Sequence, residues 1–564
     1  MLFSLFPTVV VDERVIRNAA IKFESDHEEC VRVLPYFNNN DVEIHLYVYC
    51  ARSSGIPCEL KHAAQASFGH IDWKLIWADL YNDAFKLLKV SSIEYTSGEP
   101  ERLDASQVDQ IDEIINENLH VFSNHRNVTA VQPSFKVTNS VETEEACIAV
   151  YVLGKGQIPM GEVAIPRTIG SYPVDIVNGF FVRTKDPYPT RMAHKQDDVL
   201  RFGTSIGIKD KQSSGTMGAI VKDINSGTLY ALSCDHVMND AVESGIIHPG
   251  LDVYLNYLHH NLNEFKGWIE RIPRPPVELP PISDDILQDQ AQLQEKFSEL
   301  KTAKAEYSSS EGHSKGSLQN STGYQEILEG AFAKQPRVIA NYLVGVRGNV
   351  ESQRYNGREY FIDAAISELS EGEVNNLTAR NEVEIIGTSH YPSGECTSVT
   401  TDFEGLEFFK SGSATGFTQR GVLVDSSYIK TSESVSNSIW TNVPCINCNQ
   451  KEAAESQVRE LAGPCEQCNR NRWLKRCLCI KQKGCDPFSD KGDSGAVVFG
   501  KRGNARTGSP GCGIIFGVFQ CQYYIFALVS PLEIALEELS RKVSDMRPNS
   551  KPCQLQLVST YNTN

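Results

Sequence analysis

The string Asp490-Lys-Gly-Asp-Ser-Gly495 sets a serine hydroxyl in a glycine-rich turn. Serine is a poor nucleophile at neutral pH. It needs a neighbouring base, and it needs donors for the negative charge that develops on a substrate oxygen. Gly492 lacks a Cβ and can turn its N–H outward, so the N–H groups of Gly492 and Ser494 could form an oxyanion hole. A tight turn between strands would use the same tetrapeptide. A base is available upstream. The apolar run Leu229-Tyr-Ala-Leu-Ser233 ends in a short polar turn carrying His236. Imidazole takes and returns a proton near neutrality, although a lone histidine at a strand end is often only a hydrogen-bonded surface group. The third group is Asp363, an acid inside the apolar strand Tyr360-Phe-Ile-Asp-Ala-Ala-Ile366. A buried carboxylate is costly unless paired, and an imidazole N–H is a suitable partner that would fix the histidine tautomer. Asp363 starting a turn, or bonding local backbone, is the alternative.

Thiols supply a second chemistry. Of sixteen cysteines, Cys445, Cys448, Cys465, Cys468, Cys477, Cys479 and Cys485 crowd into one segment. Cys445-x2-Cys448-x16-Cys465-x2-Cys468 fits a four-thiolate structural zinc site, and the other three could complete a second site or replace some of the four. Zinc is favoured over disulfides and free thiols, because so polar a segment has too little apolar surface to fold by burial alone. Residues 469–484 carry Arg470, Arg472, Lys475, Arg476, Lys481 and Lys483 with no acid. This is either a solvated face or a docking patch for nucleic acid or an acidic partner.

The surrounding elements define where these groups sit. Residues 1–100 read as an N-terminal α/β domain of unknown role. It has a first strand over Leu2–Val11, a β run from Val42 to Cys50, and a helical-looking stretch around Trp73–Leu88. Residues 101–195 form a small α/β leader unit, with an amphipathic helix over 104–121 and strands at Val128–Val131 and Cys147–Leu153. Residues 196–545 have the texture of an all-β domain, with short strands broken by glycine, among them Gly218–Val221, Leu229–Ser233 and Val253–Leu255. Two insertions interrupt it. Residues 271–335 are proline-rich, then helical over about 284–306, then flexible, and residues 440–487 are Cys-rich. The stretch Pro531–Leu539 closes the domain as a helix, and 546–564 is a tail.

Composition narrows the function classes. The chain has 564 residues, with 54 Lys and Arg against 71 Asp and Glu, for a net charge of −17. So acidic a surface argues against charge-driven nucleic-acid binding by the whole protein. No apolar run is long enough for a transmembrane helix, and Leu2–Val11 lacks the flanks of a secretory signal. A cytoplasmic or nuclear location is expected, with no membrane partner.

The order His236…Asp363…Ser494 matches the chymotrypsin order of triad residues. Leu232-Ser-Cys-Asp-His-Val237, Ile362-Asp-Ala-Ala-Ile366 and Gly492-Asp-Ser-Gly495 resemble the three catalytic segments of trypsin-like serine proteases. Gly215-Thr-Met-Gly-Ala-Ile-Val221 resembles an early barrel strand of that fold. Ser411-Gly-Ser-Ala-Thr-Gly-Phe-Thr418 resembles the strand that opens its second barrel. Within the group the chain is most similar to the intracellular plant Narrow leaf-type proteases, over about 200–255, 338–430 and 488–540. The leader, with Ile158-Pro, Ile165-Pro and Pro173-Val-Asp-Ile176, is similar to a region that precedes such domains.

The resemblance implies a mainly β chymotrypsin-like double β-barrel, preceded by an α/β region and carrying a helical and a Cys-rich zinc insertion. Its active site would lie in the cleft between barrels. His236 would be the base, Asp363 the orienting acid and Ser494 the nucleophile, with Gly492 and Ser494 giving oxyanion N–H groups. The implied activity is hydrolysis of protein or peptide substrates through an acyl-enzyme. A weakly active or inactive scaffold that binds a protein or nucleic-acid partner through its zinc module is the alternative, and a homo-oligomer stays open. Ala496 stands where a second glycine is commoner. Phe488, six residues before Ser494, would floor the specificity pocket and does not favour cleavage after Lys or Arg. No secretory zymogen pattern offers Asp493 a new chain terminus to pair with.

Overall fold

The structure, a computed structural model, describes residues 13–27, 30–38, 41–48, 58–69, 71–77, 94–95, 103–139, 141–182, 200–209, 211, 214–241, 245–270, 290–310, 325–332, 336–380, 392–396, 407–430, 473–482, 488–489, 492–501, 509–521 and 525–558. The expected strand at Leu2–Val11 lies outside them. Strands β1 (Cys30–Asn38) and β2 (Asp41–Val48) form an antiparallel hairpin, and β3 (Asp72–Trp77) lies parallel to β2. A parallel pair needs a crossover, and the helix Cys58–Phe68 lies within it. That helix and Glu13–Asp26 bury Ile16, Ala20, Phe23, Leu60 and Phe68 against Val33, Ile44 and Leu46. The helical-looking stretch around Trp73–Leu88 therefore begins as a strand. Its residues 78–88 lie outside the described ones.

The leader contributes β5 (Val128–Thr138), β6 (Val141–Val152), β7 (Thr168–Ile169) and β8 (Tyr172–Val182), and β4 (Glu94–Tyr95), from the segment before residue 101, pairs parallel with β6. The leader's amphipathic stretch forms two helices, Ala105–Glu117 and Leu119–Ser123, with Asp104 capping the first by accepting from the Gln107 N–H.

Next come β9 (Thr204–Ile208), β10 (Ser214–Met217), β11 (Ala219–Asp223), β12 (Leu229–Ser233), β13 (Ile246–His248), β14 (Arg337–Ser352) and β15 (Arg358–Leu369). They form an eight-stranded sheet in the order β10-β9-β13-β14-β15-β12-β11-β23, where β23 is Leu555–Leu557. Strands β10 and β11 are consecutive, joined only by Gly218, so the sheet curls back towards itself. The expected tail is thus partly a strand of this sheet, with Leu555 and Leu557 buried. The expected strand at Val253–Leu255 is instead the start of a helix, Leu251–Glu270. It pairs with Gln290–Ser310 through Leu258, Phe265, Leu293 and Phe297, so the helical insertion begins before residue 271.

The largest sheet holds β16 (Pro392–Cys396), β17 (Glu407–Gly412), β18 (Gly416–Lys430), β19 (Trp473–Gln482), β20 (Val497–Lys501), β21 (Ser509–Cys521) and β22 (Ile525–Pro531), together with the leader strands. Its path runs β17-β20-β21-β22-β19-β18, and β18 pairs back onto β17, which closes a ring. The far end of β18 continues onto β5, and the far end of β21 pairs with β8. The leader is therefore annealed to this ring rather than standing apart as a unit. The closing helix Leu532–Met546 buries Leu532, Ala535, Leu536, Leu539 and Val543 in the main core, at helical spacing. Among the described residues no helix is long and apolar enough to cross a membrane.

Candidate active site

Register places the acid. Ser233 on β12 pairs with Ala365 on β15 in an antiparallel ladder. Two residues beyond the end of β12, that ladder would reach Asp363. There the chain turns into the short helix Asp235–Met238, which sets His236 above the carboxylate. The His236 Nδ1 lies 2.7 Å from Asp363 Oδ2, and the His236 backbone N–H donates to Oδ1 at 3.2 Å. An ionised carboxylate can only accept, so Nδ1 carries the proton, and in the neutral ring Nε2 keeps its lone pair. The Asp363 side chain is fully buried, while that of His236 is 21% exposed. The Asp363 backbone N–H donates to Ser530 Oγ on β22 at 3.1 Å, which ties the acid to the closed ring.

Burial works against the charge on Asp363. The His236 ring, its hydrogen bonds and the Arg347 guanidinium outweigh it and hold the carboxyl below its ordinary value. Arg347 lies opposite Asp363 in the β14–β15 ladder and also reaches Asp235, with Nε 3.3 Å from Oδ2. Burial, then repulsion from Asp363, pushes the Asp235 carboxyl up, against the pull of Arg347 and a 2.9 Å hydrogen bond from Tyr342.

Ser494 sits in a turn flanked by Gly492 and Gly495, whose φ values of 94° and 97° lie where glycine is favoured. Gly495 is further constrained, because a Cβ there would lie 2.0 Å from Ser233 Oγ and 2.2 Å from the Thr216 carbonyl oxygen. The turn packs directly against the segment that carries His236. The Gly495 N–H and the Cys234 thiol both donate to the Ile515 carbonyl, at 2.7 and 3.1 Å. The Thr216 N–H donates to the Ser494 carbonyl at 2.8 Å. A Cβ on Gly215 would meet both Val237 and the Ser494 carbonyl, so only a glycine fits between these two segments.

The turn is also clamped from the closed ring. The Gly492 carbonyl accepts from Thr216 Oγ1 at 2.9 Å and from Ser413 Oγ at 2.7 Å. Asp493 is fully buried and bound to the β17–β18 turn. Its Oδ1 accepts from the Ala414 and Thr415 N–H groups, at 3.0 and 3.2 Å. Its Oδ2 accepts from Thr415 Oγ1 at 2.8 Å and from Lys410 Nζ at 2.5 Å. Lys410 is equally buried. Burial pulls its ammonium pKa down, against the attraction of Asp493.

Lys410, Ser530, Arg347 and Thr216 went unread in the sequence. Lys410 carried the same signal as Asp363, a charge beside apolar residues (Phe408-Phe409-Lys410) in a strand. Phe488, which the resemblance places at a pocket floor, is fully buried in the closed ring among Phe408, Leu423, Ile480 and Ala527, with its side chain where a Cβ on Gly421 would be.

The cysteines divide. Cys477 and Cys479 belong to β19, not to a polar insert. Both are buried in the core, and burial, then Cys479, pushes the Cys477 thiol well up, which disfavours the thiolate a metal requires. Cys445, Cys448, Cys465, Cys468 and Cys485 lie outside the described residues. The ligand atoms of Cys234, His236 and Asp363 lie within 4.8 Å of one another. However, burial, then Asp363, raises the Cys234 thiol, and Nδ1 is already held by the acid, so this trio is a poor metal cradle. Nor is the basic stretch 469–484 a free patch where it is described. Lys475, Arg476 and Lys481 are buried, Arg476 binds Asp112 at 2.8 Å, and Lys475 pairs with Glu359. Compared with known proteins, the chain matches no family model and no curated protein.

Proposed function

We propose that the protein is a serine endopeptidase of the trypsin-like kind, with the curled eight-stranded sheet and the closed ring as its two barrels. The observation that carries this reading is the His236–Asp363 pair, in which a buried carboxylate holds Nδ1 on a segment that packs against the Ser494 turn. In the proposed reaction Ser494 Oγ attacks the peptide carbonyl carbon while His236 Nε2 takes the hydroxyl proton. The oxyanion rests on the Gly492 and Ser494 N–H groups. The C–N bond then breaks, with His236 returning the proton to the leaving amine, and water repeats the sequence to free the acyl group.

A fluorophosphonate probe tests this on the full chain. Ser494 should be labelled, Ser494→Ala should abolish labelling, and a peptide library should be cut only by the unsubstituted protein. A folded protein that neither labels nor cuts would leave the scaffold reading in its place. Cys445, Cys448, Cys465 and Cys468 are proposed as a structural zinc site. Metal analysis should then find about one zinc per chain, lost in the Cys445→Ser/Cys448→Ser variant. An unchanged zinc content in that variant would rule the site out.

A further inference from the structure

The acid next to the nucleophile raises a question of assembly. Asp493 is wholly buried between Gly492 and Ser494, the two residues whose N–H groups would receive the oxyanion. Any conformation that leaves Asp493 without a counter-charge would be driven to turn this carboxylate outwards, and the flanking N–H groups would turn with it. The counter-charge is already present, in Lys410 within β17. It is also sufficient. A carboxylate has about four acceptor positions, and the Ala414 and Thr415 N–H groups, Thr415 Oγ1 and Lys410 Nζ supply four donors. A further ammonium, such as a freshly cut chain terminus, would find no vacant position on Asp493.

The backbone fits around this pair. A Cβ on Gly412 would lie 2.1 Å from Asp493 Oδ1 and 2.9 Å from Lys410 Nζ, so the approach requires a glycine there. The hydroxyls of Thr216 and Ser413 hold the neighbouring Gly492 carbonyl inwards. Two apolar side chains of similar volume would serve the stability of the fold as well as a buried ion pair does. A pair at this position therefore points to a geometric task.

We propose that Lys410 is a positioning residue whose ammonium, buried on Asp493, holds the 492–495 turn in its oxyanion-binding shape, so that the intact chain is active without proteolytic activation. The proposal rests on the hydrolase reading and concerns how that site is switched on.

The test follows labelling of the full-length protein by a fluorophosphonate. Ser494 Oγ forms the P–O bond, the P–F bond breaks, fluoride leaves, and His236 takes the hydroxyl proton. Intact protein, verified uncut by mass spectrometry, should label at its full rate. Lys410→Met should lower the rate constant of the covalent step by on the order of 100-fold or more, the scale of losing one oxyanion donor, with little change in reversible probe binding. A merely structural role would reduce the fraction of protein that labels and leave its rate unchanged. Should Lys410→Met fold poorly, Lys410→Met/Asp493→Asn removes both charges. It should refold and still label at least tenfold more slowly than the unsubstituted protein.

Labelling that requires a prior cut, or full-rate labelling of either variant, overturns this inference and leaves the hydrolase reading standing. Absence of labelling in every form, cut or intact, overturns both.

Discussion

An imidazole that gives Nδ1–H to a carboxylate has one neutral tautomer to offer, and the geometry around Asp363 depends on that acid staying ionised. Asp363→Asn keeps the shape but can present an N–H to the ring and invert the tautomer. Labelling of Ser494 should then slow by on the order of 10³–10⁴-fold, and a rate within tenfold of the unsubstituted protein would refute the orienting role. The same residue has a pH signature. Its carboxyl is held below the ordinary value in the folded state. Its contribution to stability is therefore complete above the unfolded value, near pH 4, and is lost as pH falls through the lower folded value. Denaturation midpoints taken from pH 5 down to pH 2 should fall more steeply for the unsubstituted protein than for Asp363→Asn, and parallel curves would count against the assignment. Asp363 was legible in the sequence because a charge interrupts an apolar strand. Lys410 sends the same signal, but its meaning depends on Asp493, 83 residues away, which no local pattern announces.

At the level of elements, local periodicity succeeded where turn residues bound the strands and failed where runs are short. Strands β11 and β12 in the first sheet needed only apolar runs and glycine punctuation to be read. Val253-Tyr-Leu255 is an apolar run of three, too short to separate strand from helix, and burial against Phe297 and its neighbours selects the helix. Strand β19 was hidden by its basic residues. Lys475, Arg476 and Lys481 look solvated in a linear reading, yet each is buried because the strand lies between β18 and β22. Arg476 joins this strand to the leader helix through Asp112, with both side chains under 10% exposed, and Asp112 also accepts from Tyr428. Arg476→Met would strand that carboxylate in the interior. The expected loss is about 3–5 kcal/mol, measured by urea denaturation, with much of it recovered in Arg476→Met/Asp112→Asn. A single-variant loss below about 1 kcal/mol, the range of exposed pairs, would mean that the pair carries no such load.

Across the whole molecule, the leader strands share a sheet with the strands of 407–531, while the strands of Cys30–Trp77 keep a sheet of their own. The candidate site draws on the eight-stranded sheet and the closed ring, with His236 and Asp363 from the first and Ser494, Lys410 and Ser530 from the second. Each residue type was visible in one dimension. The pairing of β18 with β5, of β21 with β8 and of β11 with β23 joins segments hundreds of residues apart, and no spacing rule reaches that far. The leader's attachment has a consequence during synthesis. The Trp473 indole donates to Ser123 across 350 residues, and the strand that completes β5 is Tyr428–Ile429. At roughly 5–20 residues per second, a ribosome needs on the order of tens of seconds to supply those partners. Throughout that interval the nascent leader carries an unpaired strand edge, the feature through which strands of separate chains pair wrongly.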